Sequence, residues 1–142
     1  MAQLLRHSCK LSALGFIGGT TYYMIEIMYR GYSHWTMGLL GAFCFIFIGL
    51  INEYLSWDTP LWLQGLIGSG IVTTLEFIFG CVLNLWLGLG IWNYSLLPIN
   101  ILGQICLPFS LIWVVLSIIA IILDDWLRYW LFKEDKPKYK WL

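Results

Sequence analysis

The sequence predicts an all-α membrane protein, a four-transmembrane-helix bundle with both termini cytoplasmic and an amphipathic C-terminal segment. Three observations carry this reading. Hydrophobic residues make up 60% of the 142-residue chain and charged residues only 11%, against about 25% charged in an ordinary soluble domain. Mean hydropathy is +0.78. Four apolar stretches approach or exceed the ~20 residues a helix needs to cross the hydrocarbon core, and seven of the eight Lys and Arg residues lie outside them, towards the two ends of the chain.

The first stretch runs from about Leu11 to Tyr29, the second from Met37 to Leu55, the third from Leu61 to Leu87 and the fourth from Ile101 to Leu123. The start, MAQLLRHSCK, is polar and has no small-residue cleavage site after a free-standing apolar region, so a cleaved signal peptide is not expected. RGYSHWT and SWDTP make short connections. The third connection, GLGIWNYSLLPIN, carries Gly, Pro and Asn that break a helix, and Trp and Tyr that favour the headgroup level. From Asp124 the segment DDWLRYWLFKEDKPKYKWL is amphipathic and then strongly charged, which predicts an interfacial helix followed by a cytoplasmic tail over residues 124–142. Arg6 and Lys10 flank the first span; Arg128, Lys133, Lys136, Lys138 and Lys140 follow the last. An even number of spans puts both groups on one side, and the positive-inside rule makes that side the cytoplasm. Arg30 alone falls on the other side.

Side chains at i, i+3 and i+4 share a helix face. The first span then has a face of Gly15, Gly19, Tyr22, Glu26 and Arg30. The second has Gly38, Gly41, Phe45, Gly49, Asn52 and Glu53. The third has Gly65, Ser69, Thr73, Glu76, Gly80 and Asn84, and the fourth Gly103, Cys106, Ser110, Trp113, Ser117 and Asp124. Small residues on such faces let helix backbones approach where lipid gives no hydrophobic drive to associate. The carboxylates need a further reason, because an ionised acid at mid-bilayer costs about 2.5–3.5 kcal/mol. Glu26 and Glu76 fall at similar depth in the outer half of their spans, near Arg30, His34, Asn84 and Gln104. These six form the candidate substrate-binding set. Arg30, one turn beyond Glu26, is placed to pair with it. Asn52, Glu53, Asp124, Asp125 and Arg128 form a second, inner cluster.

A net charge of zero and the lack of a basic face exclude nucleic acid as a partner. Cys9, Cys44, Cys81 and Cys106 show no CxxC spacing and read as small hydrophobes. The His, Glu and Asp residues have no metal-site spacing, there is no Walker A or GxSxG motif, and adjacent Ser33 and His34 have poor geometry for a catalytic pair. No metal and no cofactor are expected, and no catalytic residue is assigned.

The segments GGTTYYMIEIMYRGYSHWTMG, IGLINE, QGLIGSGIVTTLEFIFGCVLN, WNYSLLPINILGQIC and LDDWLRYWLF, between Gly18 and Phe132, resemble the CmpB-like family of small bacterial membrane proteins, described as type IV ABC-transporter permeases. The resemblance implies a multipass protein of the bacterial cytoplasmic membrane. It also implies the family's characteristic polar positions: Glu26, Arg30, Ser33, His34, Glu53, Glu76, Asn84, Tyr94, Asn100, Gln104, Asp124, Asp125 and Arg128. The chain has no ATPase motif, so any ATP-driven role requires a separate ATPase subunit, and SWDTP is too short to be a coupling loop. Three functions fit the sequence: a permease component that binds and moves a solute among membrane lipids, as a homo-oligomer or with partners; an intramembrane enzyme acting on a lipid or lipid-linked substrate, with Glu76 or His34 as base and Arg30 on a headgroup; and a membrane subunit without chemistry.

Overall fold

The computed structural model describes residues 1–142. Helix α1 spans Ala2–Arg30, α2 Trp35–Gly49, the short α3 Ile51–Tyr54 and α4 Leu61–Gly80. The backbone of α4 widens into a π-helical turn at Cys81–Trp86. A two-stranded antiparallel hairpin, β1 Asn100–Ile101 and β2 Ile105–Cys106, precedes α5, Leu107–Phe132. Three segments are long and apolar enough to cross a membrane: Trp35–Tyr54, Leu61–Trp86 and Leu107–Phe132. The longer α1 falls outside that set, since Lys10, the Thr20–Tyr23 run and Glu26 dilute its apolar residues.

Helix boundaries depart from the sequence expectation at both ends. α1 begins at Ala2, nine residues before Leu11, because no breaker interrupts AQLLRHSCK. The fourth helix begins at Leu107 and not Ile101; residues 100–106 are taken up by the hairpin, and Pro108 fits the first helical turn, where its missing N–H costs nothing. α5 then runs through the expected interfacial segment to Phe132. Asp124, Asp125 and Arg128 are therefore buried in the bundle and do not lie on its surface, because all three find partners inside it. The helix stops at Lys133, whose left-handed backbone turns its N–H back to Arg128 O.

α1 packs along α2 and α4 along α5, with α2 bridging the two pairs. The glycine faces make these contacts close. A Cβ on Gly19 would stand 2.5 Å from Gly38 O, one on Gly41 2.7 Å from Tyr22 Cβ, and one on Gly68 2.6 Å from Ser117 Cβ. The buried core joins Leu40, Cys44 and Ile48 of α2 to Val72 of α4, Trp113 and Ile121 of α5, and Trp92 of the loop after the π-turn. Phe16, Leu66, Ile78, Leu111, Val115 and Ile119 remain exposed, an apolar exterior suited to lipid.

The two ends of the bundle differ. At one end α1 closes with Gly31 in the left-handed region (φ +81°) and the loop of residues 87–106 folds over the helix ends. At the other, the tail after α5 straps the start of α4: Lys140 O accepts from Leu61 N (2.7 Å), one of the N–H groups a helix start leaves open. Tyr139 donates to Asp125 (2.9 Å), and burial, then the Asp125 charge, push its hydroxyl pKa up, so it stays a donor throughout the physiological range. Lys140 pairs with exposed Asp58 and holds that carboxyl below its usual range, a surface pair worth little.

Candidate functional site

Glu76 sits on the buried face of α4, 3% exposed. Tyr94 reaches back from the loop to donate to its Oε1 (2.7 Å), and the Trp113 indole of α5 donates to Oε2 (3.1 Å). Hydrogen bonds to a charged group contribute about 1.5–3 kcal/mol each. Two of them therefore offset the insertion cost of even a fully ionised acid. Tyr94 is itself fixed by stacking on Phe109, with ring centroids 4.7 Å apart.

A cavity of about 140 Å³ opens beside Glu76, between α1 and α5. Ile25, Leu40, Phe45, Leu116, Ile119 and Leu123 contribute apolar walls, Tyr22 and Trp113 add aromatic surface, and Glu76 is the one ionisable side chain apart from the Tyr22 and Cys44 groups. Each carboxylate oxygen has a second lone pair beyond the one its protein donor occupies. The arrangement thus offers an apolar body site with one carboxylate in its wall, beside the hydroxyl-bearing Thr21, Tyr22 and Ser117.

The remaining residues of the outer set are partnered within the protein. Arg30 donates from Nη2 to Glu26 (2.5 Å) and from Nη1 to Ile91 O (3.1 Å), which ties α1 to the loop. Tyr22 and Ser33 lie 3.4 Å from the Glu26 oxygens. Asn84 donates to Gln104 Oε1 (2.8 Å) and accepts from Ile91 N (2.7 Å). Gln104 is buried, and its carbonyl accepts from the Trp92 indole (3.0 Å). His34 caps α2, with Nδ1 2.7 Å from Thr36 Oγ1. The structure therefore joins Glu26 to Arg30 and Asn84 to Gln104, while Glu76 takes neither pair as a partner and His34 turns towards its own helix. Tyr22 stands between the acids: its hydroxyl is near Glu26 and its ring centroid lies 6.1 Å from that of Trp113. The candidate set omitted Tyr22, Tyr94 and Trp113. Tyr22 is four residues before Glu26 and Trp113 is on the polar face of α5, so helical spacing signals both; Tyr94 comes from a loop, where no spacing rule applies.

Replacing Asn84 by Leu should leave Ile91 N–H and Gln104 Oε1 unpaired. The expected cost is about 1–3 kcal/mol, a fall of several degrees in the thermal midpoint of the detergent-solubilised protein; an unchanged midpoint would show that the loop is held by other contacts.

The inner cluster is likewise a network. Arg128 donates from Nε to Asp124 (2.5 Å) and from Nη1 to Glu53. Asn52 donates to Asp125 (2.7 Å), and Lys10 joins α1 to Glu134 (2.6 Å).

Three helices long and apolar enough to cross a membrane, glycine-lined contacts and buried acids hydrogen-bonded inside the bundle point to a helical membrane protein. The model of the family described as "Putative ABC-transporter type IV" matches residues 9–139, and the chain belongs to that family. Comparisons with curated proteins and with solved structures give no match.

Proposed function

We propose that the protein is the membrane-embedded component of a transporter, and that the cavity lined by Glu76 takes up an amphiphilic solute. The carrying observation is the placement of a buried carboxylate in the wall of an apolar cavity between two helix pairs. Acids at such depth mark ion or substrate paths. A solute suited to these walls has an apolar body and a cationic or hydrogen-bond-donating head. Four spans, with α1 as the least apolar, and both termini on the cytoplasmic side of a bacterial inner membrane account for the basic residues at the chain ends. Arg30, held by Glu26, and the Asn84–Gln104 pair support the site from around it, since they fix the loop that carries Tyr94, while His34 caps α2. Family membership, with no nucleotide-binding motif in the chain, points to a separate ATPase subunit as energy source.

The test fills the cavity without touching the acid. Ala120 lines it, and Ala120→Trp should displace the bound solute. Native mass spectrometry of gently purified wild type should show a bound amphiphile that this variant lacks. Identical bound species in both, or none in wild type, would overturn the reading.

A further inference from the structure

The walls of the cavity beside Glu76 differ in exposure, and the difference locates its mouth. Its lining residues on α2 and α4, among them Leu40, Ile48, Val72 and Glu76, are all buried. The exposed lining residues are Thr21 and Ile25 of α1 and Ile119 of α5; Ile25 is 48% exposed and Ile119 56%. A cavity whose exposed walls belong to two helices opens between those two. The mouth is therefore the seam between α1 and α5, on the outside of the bundle. Ile119 lies about midway along α5, a segment long and apolar enough to cross a membrane. Midway along a spanning helix is the hydrocarbon core, not the headgroup level. The mouth is apolar as well: two isoleucines flank it, and the Thr21 hydroxyl is turned back onto its own helix, donating to Ile17 O (2.8 Å).

The shape of the cavity restricts what fits. Its lining runs from Trp113 to Leu123 on α5, from Leu40 to Ile48 on α2 and from Gly18 to Ile25 on α1. At 1.5 Å per residue these stretches cover about 15, 12 and 10 Å of helix axis. A compact apolar cavity of about 150 Å³ holds one benzene ring. Nearly the same volume, 140 Å³, drawn out along the helices is a narrow slot that suits an extended hydrocarbon chain better than a ring system. Glu76 stands beside Trp113, the first α5 residue of the lining. A head on the carboxylate and a chain running towards Leu123 would lie along the slot. Chains in a bilayer already run roughly parallel to spanning helices, so one can slide through the seam without turning.

We infer that the occupant is a single-chain amphiphile with a cationic or hydrogen-bond-donating head on Glu76, and that its hydrocarbon chain enters sideways from the bilayer through the α1–α5 seam. This rests on the reading of the cavity as a solute site and narrows that solute to a linear chain taken from lipid.

The test uses the full chain in phosphatidylcholine nanodiscs and, as probe, dodecylamine with a photoreactive diazirine midway along its chain. The labelling that excess plain dodecylamine suppresses should map to α5 between Trp113 and Leu123. At equal membrane concentration, dodecylamine should suppress it at least tenfold better than adamantylethylamine, a cage amine of equal carbon number. Ile119→Trp and Thr21→Trp, both at exposed positions, should each lower this labelling tenfold or more by narrowing the seam. Val115→Trp, similarly exposed on α5 but outside the cavity, should leave it unchanged. Cavity labelling that Ala120→Trp abolishes, but that the cage amine suppresses equally or neither seam variant lowers, would overturn the linear chain and its sideways entry and leave the solute site standing. Cavity labelling absent from wild type, or unchanged in Ala120→Trp, would overturn both.

Discussion

Glu76→Gln is expected to lower solute binding and transport about 10- to 100-fold while lowering the thermal midpoint by only a few degrees. The reasoning starts from the two donors on the carboxylate. Gln has the same shape, and its amide oxygen can accept from the Trp113 indole at the place of Oε2. Its amide NH2 then faces the Tyr94 hydroxyl, which turns from donor to acceptor by rotating its hydrogen. The Tyr94 hydrogen and the second amide hydrogen lose their acceptor, so a stability cost of about 1 kcal/mol is expected. What disappears is the charge, and a charge-assisted hydrogen bond contributes about 1.5–3 kcal/mol, one to two powers of ten in affinity. Glu76→Ala behaves differently: it leaves the Trp113 N–H buried without an acceptor and should destabilise by a further 1–3 kcal/mol. Transport into proteoliposomes together with the thermal midpoint separates the two cases. Full transport by the Gln variant would make Glu76 a structural acceptor and remove the proposed site. Glu26→Gln should have a smaller effect, since that acid is already paired with Arg30 and lies outside the cavity.

The pattern of small and polar residues made much of this fold legible, and its failures have definite physical causes. Helical spacing placed Gly19, Gly41, Ser69, Glu76 and Trp113 on faces that pack inwards. It put Arg30 beside Glu26, the spacing at which that pair forms. Hydropathy misplaced the end of α5, because DDWLRYWLF reads as interfacial when taken alone; burial of two aspartates becomes tolerable only once Arg128, Asn52 and Tyr139 converge on them from α5, α3 and the tail. Long-range partners such as these carry no local signal. The same is true of Tyr94: eighteen residues separate it from Glu76, and the intervening chain leaves the helix through a π-turn that no periodicity announces. Asn84 was found from its helix face and depth and Gln104 from depth, and their mutual hydrogen bond depends on the hairpin bringing Gln104 back over the end of α4.

Arg128→Ala is expected to be the most damaging single change to the fold, at about 3–5 kcal/mol. Asp124 is 0% exposed and Arg128 is its one hydrogen-bonding partner. Removing the guanidinium strands that carboxylate beside Glu53 and Glu134, and an uncompensated buried charge is among the costliest defects a folded protein can carry. The network spans the molecule: Lys10 of α1, Glu53 of α3, Asp124 and Arg128 of α5 and Glu134 of the tail all meet there. Its loss should therefore loosen both helix pairs at that end, not only α5. The expected readout is loss of the folded species in size-exclusion chromatography or a thermal midpoint lowered by ten degrees or more. The double change Asp124→Leu with Arg128→Met supplies the control, because replacing a buried ion pair by apolar side chains of similar volume is often neutral or stabilising. It should recover most of the lost stability. Recovery would assign the damage to the stranded charge; a double variant as unstable as Arg128→Ala would instead mean that Arg128 acts through Glu53, whose pairing the double change also removes.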